Sequence, residues 1–466
     1  MKRRPLSVGS KVMLVTVAVV LVASAVVLGR LSSGASVDLN KLNMQSLDLF
    51  SGERDGENDS RQSAAAAENP SGYPEAPGSG ATVAEKTAQN GNNAEKAQTT
   101  QNSDKTATGE SGATKPTGSG KSDKQPGTDS YTLAVAGSVC LEDEVLKNAW
   151  NTDSKAYDLS DTMMLLKPEM QADLSAVFLE NIITDNSKAN GVVAPEALAD
   201  LLQEAGFGIA ACGFSKAYDK GEEGIAGTWI AMDERGIFPT GIRTEDRQET
   251  LEIKTVNGVK TAFLQYTGTV PAKTRKKMAG AGMTRTVPEV EISLIAEEIN
   301  TARKQGAEAV IVMLKWGKTD NKPDNGQREL AAQIAKAGAD LIIGSGSRIP
   351  QGAEYLEGQD GAKVLCVWSL GTLLTGDRTN VKHMAGYILH VTVRKNGKGG
   401  ADILAPEYSP VYTWKYKQDG RYYYRCLAAD QPAPDGMDGE QQKTMAKAEK
   451  TVSEILSGSP VTLRTR

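Results

Sequence analysis

The sequence predicts an α/β layered domain with a mixed sheet, preceded by an amino-terminal transmembrane helix and a disordered linker. Three observations carry this expectation. From Tyr131 onward, apolar runs of strand length alternate with amphipathic stretches, and most runs stop at glycine or small polar residues. That is the pattern of strands delivering loops to one edge of a sheet. Asn257-Gly258 lies between two strand-like segments, a hairpin signal that makes the sheet mixed. The stretch from Ser51 to Ser130 holds Tyr73 and Val83 as its only large apolar residues, too few to offset the entropy of ordering its backbone.

Taken in order, residues 1–11 form a basic tail with Lys2, Arg3, Arg4 and Lys11 ahead of an uncharged apolar run, 12–29. A helix of that length spans about 27 Å, enough to cross a bilayer core of about 30 Å. Basic residues before the run keep the amino terminus cytoplasmic and export the rest. A cleaved signal peptide is the rival, but its small residues, Ala23-Ser24-Ala25, lie inside the apolar run. Residues 30–130 then read as a tether rich in Ala, Gly, Ser, Thr, Lys and Glu, spanning about 50 Å as a coil.

The folded part is expected over 131–395, with an appended segment, 396–466. Strands are predicted at Tyr131–Ala136, Ala176–Leu179, Phe207–Cys212, Ala309–Leu314, Ala339–Ile343, Lys363–Trp368 and Tyr387–Arg394. Helices are predicted at Glu142–Trp150, within Asp161–Gln171 with a break at Pro168, at Pro195–Ala205, Gly221–Arg235, Pro288–Lys304 and Gln327–Ala337. Val411–Leu427 reads as a hairpin turning at Asp419-Gly420, with Tyr412, Trp414 and Tyr416 on one face. Seven of the chain's aromatic residues crowd between Tyr408 and Tyr424; cross-strand packing is the plain reading and stacking on a sugar the functional one. A last helix, Gly439–Leu456, turns Met445, Ala448, Val452 and Ile455 to one side.

Composition excludes several chemistries. A net charge of -5 argues against nucleic-acid binding, which needs a basic face. Only His383 and His390 are present, and two isolated histidines read as ordinary surface residues rather than ligands. Four cysteines lie far apart, so they read as small buried hydrophobes, with a disulfide as the alternative. The stretch Ala339–Gln351 is the focus: a buried strand ends in Gly344-Ser345-Gly346-Ser347-Arg348-Ile349-Pro350-Gln351, where an α/β sheet places ligands. It contains no histidine or cysteine, and its loop no carboxylate.

From Tyr131 to about Val393 the order of motifs resembles the bacterial poly-gamma-glutamate capsule biosynthesis (CapA) family. Leu179-Glu180 resembles the end of the family's Asn-Leu-Glu motif, and Ala217–Gly224 the stretch after its Asn-Asn-His motif. Lys315-Trp316-Gly317 stands where the family has His-Trp-Gly, Ala337–Gly344 before its His-Pro-His loop, and Ser369-Leu370-Gly371 at its Ser-Leu-Gly-Asn motif. The resemblance implies a calcineurin-like metallophosphatase fold layered α/β/β/α. It does not carry the chemistry over. Gly137-Ser138 replaces Gly-Asp, Phe214-Ser215-Lys216 replaces Asn-Asn-His, Lys315 replaces a histidine, and Gly346 and Arg348 replace two more. Thr372 stands for the asparagine. A metal site needs imidazole, carboxylate and amide donors, and protonated Lys and Arg have no lone pair to offer.

The expectation is a CapA-like pseudoenzyme with no metal and no cofactor. Lys216, Lys315 and Arg348 are expected to converge and attract an anion, with Ser138, Ser215, Ser345 and Ser347 as hydrogen-bond donors. Glu180 and Asp219 would line the pocket and offset the charge; the plain alternative is that the cations only pair with these two carboxylates. The implied partner is an anionic envelope polymer, poly-gamma-glutamate or an acidic glycan, with envelope proteins as further partners. Two other readings stay open: a hydrolase or amide-bond-processing enzyme using other residues, and an interaction module whose contact surface is the aromatic hairpin.

Overall fold

The computed structural model describes residues 129–184, 189–248 and 251–465. The expected tail, transmembrane helix and nearly all of the expected linker lie outside the described residues, among which no helix is long and apolar enough to cross a membrane.

The described chain opens with β1 (Ser130–Val139), α1 (Asp143–Ala149), a small hairpin of β2 (Trp150–Asn151) and β3 (Ala156–Tyr157), and β4 (Leu174–Leu179). A ribbon of β5 (Ile182–Thr184) and β6 (Val193–Pro195) leads to α2 (Ala197–Glu204), β7 (Ile209–Ala211), α3 (Gly221–Asp233) and β8 (Phe238–Thr240). The hairpin β9 (Ile253–Val256) and β10 (Val259–Thr267) follows, then α4 (Ala272–Gly280), α5 (Ile292–Lys304), β11 (Ala309–Lys315), α6 (Asn325–Lys336) and β12 (Leu341–Ser345). Next come β13 (Pro350–Glu357), β14 (Lys363–Leu370), β15 (Thr372–Leu374) and the short helix α7 (Val381–Met384). The chain closes with β16 (Ala385–Lys395), β17 (Ala401–Gln418), β18 (Arg421–Ala428), α8 (Gly439–Leu456) and β19 (Thr462–Leu463).

These strands build two large mixed sheets. The first runs β18-β17-β16-β1-β4-β7-β8, with β15 beside β1 and β19 beside β17; the second runs β13-β14-β12-β11-β10-β9. Within the first, β1, β4, β7 and β8 are parallel and β16 runs against β1. Within the second, β10, β11, β12 and β14 are parallel, with antiparallel β9 and β13 at the edges.

The apolar runs divide by strand periodicity into three cores. Along β11, Ala309, Ile311 and Met313 face inward and meet Leu133, Val135 and Phe178 of the other sheet. Their neighbours Val310, Val312 and Leu314 face outward onto Ile295, Ile299, Ala331 and Ile334 of α5 and α6. The outer face of the first sheet is covered by α1, α2 and α3 through Val145, Leu198 and Ile225. Residues alternating every second position serve opposite faces of a strand, and the result is the expected α/β/β/α layering.

Local signals explain most boundaries. Asn257 (φ 46°) and Gly258 (φ 86°) both take positive φ, as a two-residue hairpin turn requires. Asp324 and Gln327 form a reciprocal capping box at the start of α6, and Asp438 and Gln441 do so for α8. Gln441 also accepts a hydrogen bond from Trp414 Nε1 at 3.0 Å, docking α8 on β17.

Several expectations need correction. Residues 161–171 form no α-helix but a 3-10 turn at Met164–Leu166, because Pro168 removes a helical donor within the next turn. The fifth helix starts at Ile292 rather than Pro288; Pro288 instead accepts from Thr267 N at 2.8 Å. The polar helix α4 and the edge strand β13 were not expected, and β13 absorbs Pro350 and Gln351 from the focal loop. In α8, Leu456 rather than Ile455 completes the buried face. All four cysteines are free and buried. Neither histidine is a plain surface residue: His383 Nδ1 pairs with Asp377 at 2.8 Å, and His390 Nε2 with Ser409 Oγ at 3.0 Å.

Candidate functional site

The parallel strands of both sheets end at one edge of the sandwich, and the residues there come from their last positions. β1 ends at Ser138 and Val139, β4 at Leu179 before Glu180, β11 at Lys315 and β12 at Ser345. Backbone at this edge is packed too closely for side chains at its glycines. A Cβ on Gly137 would lie within 3.0 Å of the Gly371 carbonyl, and one on Gly346 (φ 113°) 2.6 Å from the Trp316 carbonyl. Arg348, with φ 58°, holds a left-handed conformation that costs a non-glycine residue energy and concentrates at functional loops.

Lys315 Nζ sits 2.5 Å from Glu180 Oε1, with the Glu180 side chain 9% and the Lys315 side chain 13% exposed. Arg348 reaches the same carboxylate at 3.8 Å and Glu142 at 3.3 Å. Glu142 also accepts hydrogen bonds from Thr375 Oγ1 at 3.1 Å and from the backbone of Gly376. Ser138 Oγ and Ser345 Oγ are 2.7 Å apart. Ser347 Oγ donates to the Ile349 carbonyl at 2.6 Å and lies 2.9 Å from Ser369 Oγ. Thr372 holds the Arg348 carbonyl at 3.2 Å. The centre is a network of two cations and two carboxylates whose charges cancel.

Sequence and geometry coincide at Lys315, Arg348 and Glu180, which the fold brings together. They part at Ser215, Lys216 and Asp219, which are exposed on the loop after β7; none of the three forms an ion pair among the described residues. Of the serines, Ser138, Ser345 and Ser347 are buried and bonded to protein partners. Two participants were missed, Glu142 and Cys140. Glu142 had a visible signal, an acidic residue just ahead of a helix at the end of a strand.

Burial pushes the Glu180 carboxyl up, but Lys315 and then Arg348 more than reverse this, and its pKa ends below the ordinary glutamate value of 4.5. A carboxylate lowered in the folded state stabilises the fold fully above the unfolded value. That contribution is lost as pH falls through the lower folded value. Glu180→Gln is therefore expected to flatten the acid limb of the stability profile below about pH 4.5, read by urea melts across pH. Cys140 Sγ lies 3.4 Å from Arg348 Nη2. Burial, then Glu180 and Glu142, push its thiol up to about 12, so it stays protonated and is no nucleophile near neutral pH.

Among the described residues, no group of three or more His, Cys, Asp or Glu side chains is placed to hold a metal ion. The donor set at the strand ends does not fit a metal centre, because an ammonium and a guanidinium occupy the places where lone pairs are required.

A family model described as bacterial capsule synthesis protein PGA_cap matches residues 132–377, from β1 to just past Gly376. The chain belongs to this family. Among curated relatives, PGA biosynthesis protein CapA of Bacillus subtilis is 26% identical over 206 residues, covering 44% of this chain and 51% of that one. Capsule biosynthesis protein CapA of Bacillus anthracis is 26% identical over 215 residues, covering 45% and 50%. This PGA_cap chain thus aligns with about half the length of each. Among solved structures, calcineurin-like phosphoesterase YfkN from Bacillus subtilis superposes with a TM-score of 0.35 at 10% identity, covering 70% of this chain and 98% of that one. A hypothetical protein from Thermus thermophilus gives 0.34 at 10% identity, covering 63% and 99%. Likenesses this loose assign nothing to the chain.

Proposed function

We propose that this PGA_cap-family chain is a membrane-anchored, extracytoplasmic component that binds or scaffolds an anionic envelope polymer without metal catalysis. The observation that carries the reading is the buried Lys315–Glu180 pair at 2.5 Å. It places a fixed cation, incapable of ligation, at the strand end where the family motif has a histidine. The names of the CapA relatives, which refer to PGA and capsule biosynthesis, support a capsule polymer as the ligand, and the motif resemblance points to poly-gamma-glutamate. The basic tail 1–11 and apolar segment 12–29 supply the anchor in this reading, and 30–130 the tether.

Within the network, Arg348 is the member that turns toward a ligand. Its side chain is 40% exposed, and its contacts to Glu142 and Glu180 are looser than the lysine pair. Glu142 keeps Thr375 and Gly376 as partners if Arg348 leaves. A ligand carboxylate can therefore replace Glu142 on the guanidinium without stranding a buried charge.

Titrating the full chain with poly-gamma-glutamate tests this. Arg348→Gln is expected to weaken binding about tenfold and to flatten its salt dependence. Unchanged affinity in that variant sinks the proposal. Stoichiometric manganese, iron or zinc in the purified protein would instead favour a metal-dependent enzyme.

A further inference from the structure

Bonds between the two sheets pair their strand ends in order. Ser138 of β1 meets Ser345 of β12 at 2.7 Å, and Glu180 after β4 meets Lys315 of β11 at 2.5 Å. Gly213 after β7 meets Gln265 of β10 through two hydrogen bonds, at 2.7 and 2.8 Å. Because β1-β4-β7 and β12-β11-β10 are each runs of neighbours, these pairs stand in a row along the strand-end edge, about 4.8 Å apart. Arg348 follows β12 at one end of the row. At the other end β10 runs into α4, with Gly268 N held on the Lys315 carbonyl at 2.6 Å.

Charge changes sign along that segment. From Gly268 to Pro288 the chain carries Lys273, Arg275, Lys276, Lys277 and Arg285 and no acidic residue, although its net charge is -5. α4 docks through Met278 into the core that also holds Phe214, Tyr218 and Val270. At about 100° per residue, Lys273, Lys276 and Lys277 fall on the side away from Met278, and all three are exposed. Their i, i+3, i+4 spacing makes them neighbours on one face. Arg275 turns aside to Glu289 at 3.5 Å, and Arg285 to Glu297 at 3.5 Å. The three lysines form no ion pair among the described residues; Lys277 Nζ lies over the Tyr218 ring, 5.4 Å from its centre. The nearby acids Asp219, Glu222 and Glu223 belong to the loop and first turn of α3, where Lys216 and Lys220 offset two of them.

Packing does not account for this helix. It buries one side chain and ends in exposed small residues, Ala279-Gly280-Ala281-Gly282, so its lysines cover no core. Three ammonium groups on one face repel one another, and an anionic chain lying across them removes that repulsion. Lysine is a point charge without arginine's fork, so the stripe suits a run of negative charges rather than the shape of one anion. We infer that the lysine stripe of α4 is a second contact surface for a long anionic polymer lying across the row of strand ends. The inference rests on the reading of Arg348 as a polymer contact. The row is about 10 Å long before α4 is reached, so one glutamate unit cannot engage both ends.

Titration of the full chain with long poly-gamma-glutamate at several salt concentrations tests the inference. Lys273→Gln, Lys276→Gln and Lys277→Gln together are expected to weaken binding about tenfold and to flatten its salt dependence. The thermal midpoint should not move, because the side chains are exposed and glutamine is as good a helix former as lysine. Arginine at the same three positions should keep the wild-type affinity. Binding that falls in Arg348→Gln but not in the triple glutamine variant overturns the inference and leaves the Arg348 contact standing. The reverse result leaves the stripe standing and removes that contact, and absence of binding by the wild type removes both. Sedimentation with phosphatidylglycerol and phosphatidylcholine vesicles covers the other anionic partner. Vesicle binding that needs the lysines, beside polymer binding that does not, assigns the stripe to a membrane surface and overturns the inference.

Discussion

Lys315→Ala is expected to destabilise the domain by about 3–5 kcal/mol, the usual cost of removing one partner of a buried ion pair. The loss comes mainly from Glu180, left buried with Arg348 at 3.8 Å and the Ser138 hydroxyl to answer its charge. Glu180→Ala should cost a similar amount for the converse reason. Replacing both, as Lys315→Met with Glu180→Leu, should recover most of the loss, since apolar residues of similar volume remove both desolvation penalties together. Chemical denaturation of the four proteins measures both losses and the recovery. A single-variant loss of under about 1 kcal/mol would mean the pair behaves like a surface contact, and the idea of a fixed internal cation would fail.

Gly344→Ala is expected to be at least as damaging, although it adds a single methyl group. A Cβ at Gly344 would overlap the Trp368 carbonyl oxygen and Trp316 Nε1. Neither can yield. The two indoles are stacked at 5.6 Å and 19°, and Trp316 Nε1 donates to that same carbonyl at 3.1 Å. Overpacking usually costs about 1–3 kcal/mol; with backbone as the obstacle, the upper end or beyond is expected. Gly280→Ala serves as the control, since nothing lies within 4 Å of its added carbon. Thermal melts of the two variants should differ by many degrees, and equal melts would refute the packing account.

Those contacts also show what was legible in the sequence. Strands buried on both faces announce themselves as unbroken apolar runs, so β11, β12 and β14 could be placed within a residue or two. The helices α3, α6 and α8 carried caps or clear apolar faces. β13 could not be read the same way. It starts with Pro350 and contains Gly352, and it tolerates both only because it is an edge strand whose outer donors need no partner. α4 buries only Met278 and is otherwise dominated by lysine and small residues, so it had no periodicity to show.

At the site, residues at strand ends were legible because the fold dictates where strand ends meet. Lys315, Glu180 and Arg348 could be grouped from motif order alone. Lys216 could not be placed, because a loop position gives a connection but not a direction. Glu142 follows the end of β1 and precedes α1, a position that marks it as a strand-end acid, but its pairing with Arg348, 206 residues away, follows only from the folded geometry.

The position of β1 has a consequence for how the chain acquires its structure. Although the first strand of the described chain, β1 lies inside its sheet and pairs residue for residue with β16, Ser130 opposite Arg394. The sheet therefore cannot close around its founding strand until nearly all of the chain is available. Pairings of such sequence separation give a high contact order and slow folding. During synthesis, Tyr131, Leu133 and Val135 would remain uncovered until β16 emerges, making them natural sites for a chaperone to hold.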